Sequence, residues 1–253
     1  NLEIIKKLNY LPVGLKNDNF SSEWLRDNTG DNISKKNTYY GEYTWYYWYW
    51  KNLLKLKKKE EWIGFCSYRE YWGSNKKTSS TKIEDLVLNS YQNEWNGYNA
   101  IIGKPISVGS TKISKVLKYG KIALLRNPKA IFSKKGRSIR WQFDMFHGNG
   151  NLDKAIDLLP ERDRNDFKHY VRSENSFSRG NIFISNSEKI IDEYFTYIFK
   201  WLENCEKIFG FDLQSYGQIR MYAFIAERFL PFWFKKYTKF LEWPVIYHDI
   251  NKI

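Results

Sequence analysis

Only two cysteines stand in the 253 residues, Cys66 and Cys205, and they form no CxxC pair. Neither a disulfide scaffold nor a Cys-based zinc site is therefore indicated, and a reducing cytosol is the natural setting. No apolar run approaches the roughly 20 residues that span a bilayer, and no signal peptide is legible, so any membrane contact is expected to be peripheral. The chain starts at Asn1 rather than Met, which reads as trimming. HExxH, Walker A, GxGxxG and GxSxG patterns are all missing. Their absence removes the common protease, P-loop, Rossmann and esterase readings. Internal repeats and low-complexity segments are missing too, which excludes solenoids and arrays.

Acidic residues are in deficit. Against 28 Asp and Glu stand 41 Lys and Arg, a net charge of +13 that suits polyanionic or phosphate-bearing partners and anionic membrane surfaces. The excess lies in short lysine runs (Lys57 to Lys59, Lys76 and Lys77, Lys134 and Lys135), so a solvated lysine-rich surface is the competing reading. Nucleic acid needs a clustered stripe. What the chain has in plenty is aromatic residues, 19% of the whole. Of the ten residues Tyr43 to Asn52, seven are Tyr or Trp. Leu and Ile fill a core without hydroxyl and indole groups that need partners. The run thus suggests a cleft wall as well as packing, and stacking on sugars or bases.

Along the chain, strands and helices alternate. Ser34 can cap a helix whose aromatic face runs through Tyr39, Tyr43, Tyr46, Tyr47 and Trp50. Trp62 to Tyr68 reads as a buried strand, 73–81 as a surface loop, Ile83 to Trp95 as a helix, and Asn99 to Val108 as a strand broken by Pro105. Trp141 to Leu159 reads as a helix interrupted at 147–150. Asn181 to Ser185 is a short strand, and Ser187 to Ile208 a long amphipathic helix with Ile190, Ile191, Tyr194, Ile198 and Leu202 inward. Gln218 to Lys236 is helical and aromatic. This order describes an open α/β sheet, with sites beyond the carboxyl ends of its strands.

Four places carry candidate chemistry. At Gly30-Asp31-Asn32-Ile33-Ser34 a turn meets a helix start, where N–H groups and short polar side chains can hold a phosphate or a sugar hydroxyl; an ordinary helix cap is the alternative. Tyr68-Arg69-Glu70-Tyr71 sets a guanidinium at a strand end, for phosphate or for an ion pair with Glu70. His147, beside Gly148 and Gly150 with Asp144 and Asp153 nearby, suits proton transfer or a structural role. Arg220 and Glu227-Arg228 sit among aromatics, where buried charge must pair.

Three blocks also carry a resemblance. Asp27-Asn28-Thr29-Gly30-Asp31-Asn32-Ile33-Ser34, Lys36-Asn37, Tyr40, Glu42, Thr44, Tyr47-Trp48 and Trp50-Lys51-Asn52 match D-x-T-G-D-N-I-S-x-K-N followed by Y-x-E-x-T and Y-W-x-W-K-N. Ile63 to Trp72 matches a strand ending H-Y-R-R-Y-F. The third block runs from His147 through Gly180-Asn181-Ile182-Phe183-Ile184, like N-M-F-I, to Tyr194, Trp201-Leu202, Arg220 and Ala226-Glu227-Arg228. In order and spacing the chain resembles bacterial capsular polysaccharide and O-antigen synthesis proteins, a family catalogued as a domain of unknown function and regarded as glycosyltransferases. It departs at Ser67, where the pattern has His, at Glu70, where it has a second Arg, and at Tyr98-Asn99, where it has Tyr-Asp. The pattern's opening strand is expected to be missing before Leu11.

The resemblance implies a single glycosyltransferase domain over residues 1–253, with a type-A, Rossmann-like open sheet flanked by helices and an aromatic-rich helical C-terminal part. It implies transfer of a sugar from a nucleotide-sugar donor, a UDP-sugar, to a growing capsular or surface polysaccharide or a lipid-linked glycan. On this reading Asp31, Asn32, Lys36, Asn37, Tyr68, Arg69 and Asn181 bind the donor, with Arg69 at its phosphates and Asn181 at its sugar. His147 or Asp144 stands nearest the chemistry. With no D-x-D motif, no metal ligands are assigned and basic side chains replace the ion; Mg or Mn on a single carboxylate stays open. The protein is expected in the cytoplasm or peripherally on the cytoplasmic face of the inner membrane, without a nucleic-acid partner. The rivals are a noncatalytic glycan- or single-stranded nucleic-acid-binding protein, against which the helical spacing of the aromatics weighs, and a degenerate transferase.

Overall fold

The computed structural model describes residues 2–16, 19–59, 61–75, 80, 82–110 and 137–248. The chain is mixed α/β with open sheets and divides into two compact units. Asn1–Lys104, Gly180–Thr196 and Phe234–Ile253 make the first; Pro105–Arg179 and Tyr197–Trp233 make the second. The lysines at 76, 77, 134 and 135 and most of the loop expected over 73–81 lie outside the described residues. No helix among those described is long and apolar enough to cross a membrane.

The first unit is built on a four-stranded sheet in the order Ile63–Gly64, Phe183–Ser185, Ala100–Gly103, Phe240–Trp243. Phe183–Ser185 pairs antiparallel with both of its neighbours, and Ala100–Gly103 runs parallel to Phe240–Trp243. Ala100–Gly103 is buried along its whole length, which explains its unbroken apolar run: a central strand covered on both faces has no use for alternation. Val245–Tyr247 pairs antiparallel with Glu70–Trp72 in a separate ribbon.

Against this sheet packs the aromatic helix Tyr43–Asn52. Tyr46 meets Phe65 edge-on at 4.8 Å, Tyr49 meets Phe65 at 5.2 Å, and Phe183 joins them from the sheet at 4.9 Å from Phe65. Each such buried ring contributes about 1.5–3 kcal/mol. Most of the run therefore braces the helix.

Five expectations are corrected here. The helix from Ser34 is not continuous: a 3-10 turn over Ser34–Lys36 and a helix over Asn37–Tyr40 end at Gly41 (φ 58°), and a new helix starts at Tyr43. Ser34 is not its cap either, because the capping position is Ile33. The expected strand from Trp62 stops at Gly64, since Ser67 closes a turn: its Oγ accepts from Glu70 N at 3.1 Å and its own N–H donates to Glu70 O at 3.1 Å. Arg69 consequently lies inside that turn, at the start of Glu70–Trp72, and not at a strand's carboxyl end. The helix expected over Ile83 to Trp95 is confined to Ile83–Leu86, because Val87 bridges to Gly73 and Leu88 N donates to Trp72 O at 2.8 Å, drawing the chain out straight.

The second unit is largely helical, with Ile139–His147, Asn151–Ile156, Glu161–Ser173 and Tyr216–Ile219, plus one two-stranded ribbon, Ile106–Ser107 against Ser176–Phe177. The break expected at 147–150 is present, with Gly148 and Gly150 at positive φ. Phe167, Trp201 and Phe229 form its aromatic centre, Phe167 lying edge-on to both others at 6.0 and 5.1 Å. The long helix Glu188–Phe209 buries Ile191, Tyr194, Ile198 and Leu202, as its periodicity predicts.

Candidate active site

The loop from Asp27 to Ser34 is held from below by side chains of its own sequence block. Asp27 is fully buried; its Oδ2 accepts from Thr44 Oγ1 at 2.5 Å and its Oδ1 from Lys16 N at 3.1 Å. Burial raises its carboxyl above the ordinary value against the pull of the Thr44 bond. Asn37 Nδ2 donates to Thr44 Oγ1 and to Gly41 O, both at 2.9 Å, so this expected donor ligand shapes the loop with its amide. Asn52 clamps Asp31 by both backbone atoms, accepting from its N at 3.2 Å and donating to its O at 2.9 Å. Gly30 is at φ 53° with Asn52 where a Cβ would lie, so glycine is required there. Asn32 bends back, with Nδ2 donating to Gly30 O at 2.9 Å and Oδ1 accepting from Ser34 Oγ at 2.8 Å. The Asp31 side chain is exposed, and Lys36 lies over the Tyr40 ring at 5.6 Å.

A second convergence joins all three sequence blocks. Gly180 (φ 90°) and Asn181 (φ 55°) take two consecutive left-handed steps before the strand Phe183–Ser185. Asn181 is buried, and its Nδ2 donates to Glu42 Oε1 at 2.6 Å while its Oδ1 accepts from Tyr43 OH at 3.3 Å. Its carbonyl accepts from Tyr46 OH at 2.9 Å, and Tyr43 OH meets Tyr194 OH at 2.7 Å. Desolvation raises the phenols of Tyr43, Tyr46 and Tyr194 far above their usual range, so all three stay neutral. The Glu70 carboxylate occupies the space where a Cβ on Gly180 would sit. Glu42 and Glu70, both half-buried, thus flank one strained backbone step. Backbone held in this way is common at ligand sites.

Neither carboxylate was singled out from the sequence as a ligand. Glu42 was visible within Y-x-E-x-T, and Glu70 only as a departure from the second Arg. Beside Glu70, the Arg69 guanidinium stacks on Tyr68 at 4.5 Å and approaches the Tyr247 ring at 5.8 Å. Tyr68 is exposed and Arg69 half-buried, so the plane of this cation is steered by a surface ring.

In the second unit, His147 is buried at the end of Ile139–His147. Its Nδ1 lies 2.9 Å from Gly217 O, which fixes the proton on Nδ1, and the ring stacks on Phe224 at 4.0 Å. Burial, aided by the Arg228 charge, lowers its pKa to about 3, so the imidazole is neutral. Asp144 Oδ1 accepts from Gly150 N at 3.0 Å and holds the loop beyond the helix. Arg228 is buried with Glu227 as its ion-pair partner, Gln142 Oε1 at 2.9 Å and the Phe177 ring at 4.4 Å. The expectation that buried charge among these aromatics is paired is met, with Glu227 on Arg228.

Among the described residues no group of three or more His, Cys, Asp or Glu side chains is placed to hold a metal ion.

Residues 2–239 match the family described as "Domain of unknown function (DUF4422)". No curated protein matches the sequence. The fold is similar to that of the bifunctional glycosyltransferase WbbM in its apo structure, with a TM-score of 0.62 and 20% identity. That likeness covers 88% of this chain and spans 39% of the other.

Proposed function

The chain belongs to that family, and from this premise we propose that it is a glycosyltransferase, moving a sugar from a nucleotide-sugar donor, a UDP-sugar, to a surface-polysaccharide or lipid-linked glycan acceptor. The observation that carries the reading is the meeting of Glu42, Glu70 and Asn181, one residue from each sequence block, beside the half-buried Arg69. The likeness in fold to a glycosyltransferase supports it.

In this reading the half-buried Arg69 neutralises the diphosphate leaving group, which a guanidinium does with two parallel hydrogen bonds. Tyr68 keeps the guanidinium oriented. Asp31, Asn32 and Lys36 hold donor hydroxyls or phosphate at the loop that Asn52 and Asn37 brace. Asn181 fixes Glu42, and Glu42 takes the acceptor hydroxyl's proton as that oxygen attacks the anomeric carbon, the nucleoside diphosphate leaving with the bond's electron pair. His147 and Asp144 are the other candidates for that proton. His147 is buried with its Nδ1 proton on Gly217 O and Asp144 Oδ1 holds Gly150 N, whereas Glu42 is only half-buried, which makes it the better base. The net charge of +13 suits work at the cytoplasmic face of an anionic inner membrane.

A thermal-shift panel of nucleoside diphosphates and sugar nucleotides tests the proposal. A ligand at 100 times its Kd raises native stability by about 2.7 kcal/mol. The expected result is a shift with a uridine nucleotide that Arg69→Ala abolishes without lowering the unliganded melting point. No shift with any member of the panel rejects the reading.

A further inference from the structure

The first unit contains a cavity of about 630 Å³, separate in its lining from Arg69, Asn181 and the Asp31 loop. That volume falls in the range of about 300–1,000 Å³ usual for small-ligand sites. Its walls are aromatic: Tyr10, Trp45, Tyr49, Trp62, Tyr91 and Trp95 are all among them. Among the described residues Glu61 is the one charged side chain in the lining, although the protein carries +13 overall. A ligand with phosphates would meet no cation among the described lining residues.

Some polar atoms of this wall are partnered, the Tyr10 and Tyr91 hydroxyls donating to Leu88 O and Asn96 Oδ1 and the Trp72 indole to Phe65 O, and one buried indole is not. Trp48, Trp50, Trp72, Trp201 and Trp243 donate their indole N–H to protein acceptors at 2.6–3.0 Å. Trp95 lines the cavity at 3% exposure, and its buried Nε1 has no partner among the described residues. The Trp45 and Trp62 indoles and the Tyr49 hydroxyl also line the cavity without a hydrogen bond to a described residue, and unlike Trp95 Nε1 these donors are open to solvent. Orphan donors in a buried setting cost stability unless something accepts from them. Trp62 also stands 5.1 Å from Trp95 and 6.1 Å from Tyr91, a cluster of rings with faces at differing tilts.

We infer that this cavity binds an uncharged oligosaccharide, the non-reacting portion of the acceptor glycan. Sugar rings offer apolar C–H faces to aromatic rings together with oxygens that accept from N–H and O–H donors, and no charge. A polyprenyl chain offers the first and lacks the second, and a nucleotide brings phosphates. Burial pushes the Cys66 thiol at the cavity up to about 12, so it adds an uncharged wall. Calling the ligand an acceptor rests on the glycosyltransferase reading; the glycan site itself does not.

Titration of intrinsic tryptophan fluorescence and calorimetry with neutral trisaccharides (galacto-, gluco- and mannotriose, chitotriose) test it, with UDP titrated in parallel. Saturable binding of at least one trisaccharide is expected, weakened about tenfold by Trp62→Ala and several-fold by Trp95→Phe, which keeps a ring and removes the N–H. Melting points of both variants show that they fold, and their UDP response stays that of the parent. No trisaccharide binding, or binding that both variants leave intact, overturns the assignment. Loss of the UDP response in Trp62→Ala also overturns it, by giving the cavity to the donor. Trisaccharide binding with no nucleotide response leaves the glycan site standing and removes the transferase reading.

Discussion

Asn181 and Glu42, 139 residues apart in sequence, are joined by a 2.6 Å hydrogen bond from the amide Nδ2 to the carboxylate Oε1. The same asparagine sits at φ 55° and receives the Tyr46 hydroxyl on its carbonyl, so one residue sets both a backbone step and a carboxylate. Asparagine tolerates this conformation better than other non-glycine residues.

Asn181→Ala removes the donor to Glu42 and places a Cβ residue without that tolerance at positive φ. Unfolding free energy should fall by about 2–4 kcal/mol, whereas Asn181→Gly, which accepts the backbone, should lose about 1–2 kcal/mol. Urea denaturation reads both. Equal losses would mean that the left-handed conformation contributes nothing.

Glu42→Gln keeps the size and a hydrogen-bonding group but cannot take a proton. Turnover of the sugar nucleotide should drop about 100-fold or more, in line with loss of a general base, while Kd for UDP changes little. A variant with near-parental turnover would move the base elsewhere, first to His147 and Asp144.

His147 makes stability depend on pH. Its folded pKa is lowered to about 3 from 6.5, so between those values the unfolded chain binds a proton that the folded chain refuses. Stability is therefore complete above about 6.5 and declines as pH falls, by up to about 1.4 kcal/mol per pH unit. His147→Gln should flatten that slope in urea midpoints measured from pH 7 to pH 5. Parallel slopes in parent and variant would exclude His147 as the cause. Asp27, whose carboxyl is raised by burial, works in the opposite sense and is unchanged by the substitution.

Chelation tests the metal question directly. With no D-x-D motif in the sequence and basic groups proposed at the diphosphate, transfer should survive excess EDTA with at most a few-fold loss. Complete loss that Mn or Mg restores would contradict this.

What the sequence made legible follows from how local each signal is. The helix Glu188–Phe209 and the break at 147–150 rest on periodicity and paired glycines within a few residues, and both are present. The helix expected from Ile83 to Trp95 failed because the pairing of Val87 and Leu88 with Gly73 and Trp72 is tertiary, and local propensity does not register it. Arg69 was placed by extending a strand through Ser67, whose hydroxyl instead closes a turn. At the site, Asn181 stood in a recognisable block, and Glu42 did too. Their contact spans the chain, so only coordinates pair them. Asn37 was assigned to the donor through the resemblance; the structure adds that its amide also binds within the loop, a contact with Thr44 and Gly41 that the motif does not show.

The parallel pairing of Ala100–Gly103 with Phe240–Trp243 has a consequence for synthesis on the ribosome. A strand made early must wait for one made some 140 residues later, as must Glu70–Trp72 for Val245–Tyr247. Until then the nascent chain carries an open, apolar strand edge, so fragments ending before residue 240 should depend on chaperones or aggregate. Slow closure of such distant contacts makes this first unit the late step of folding.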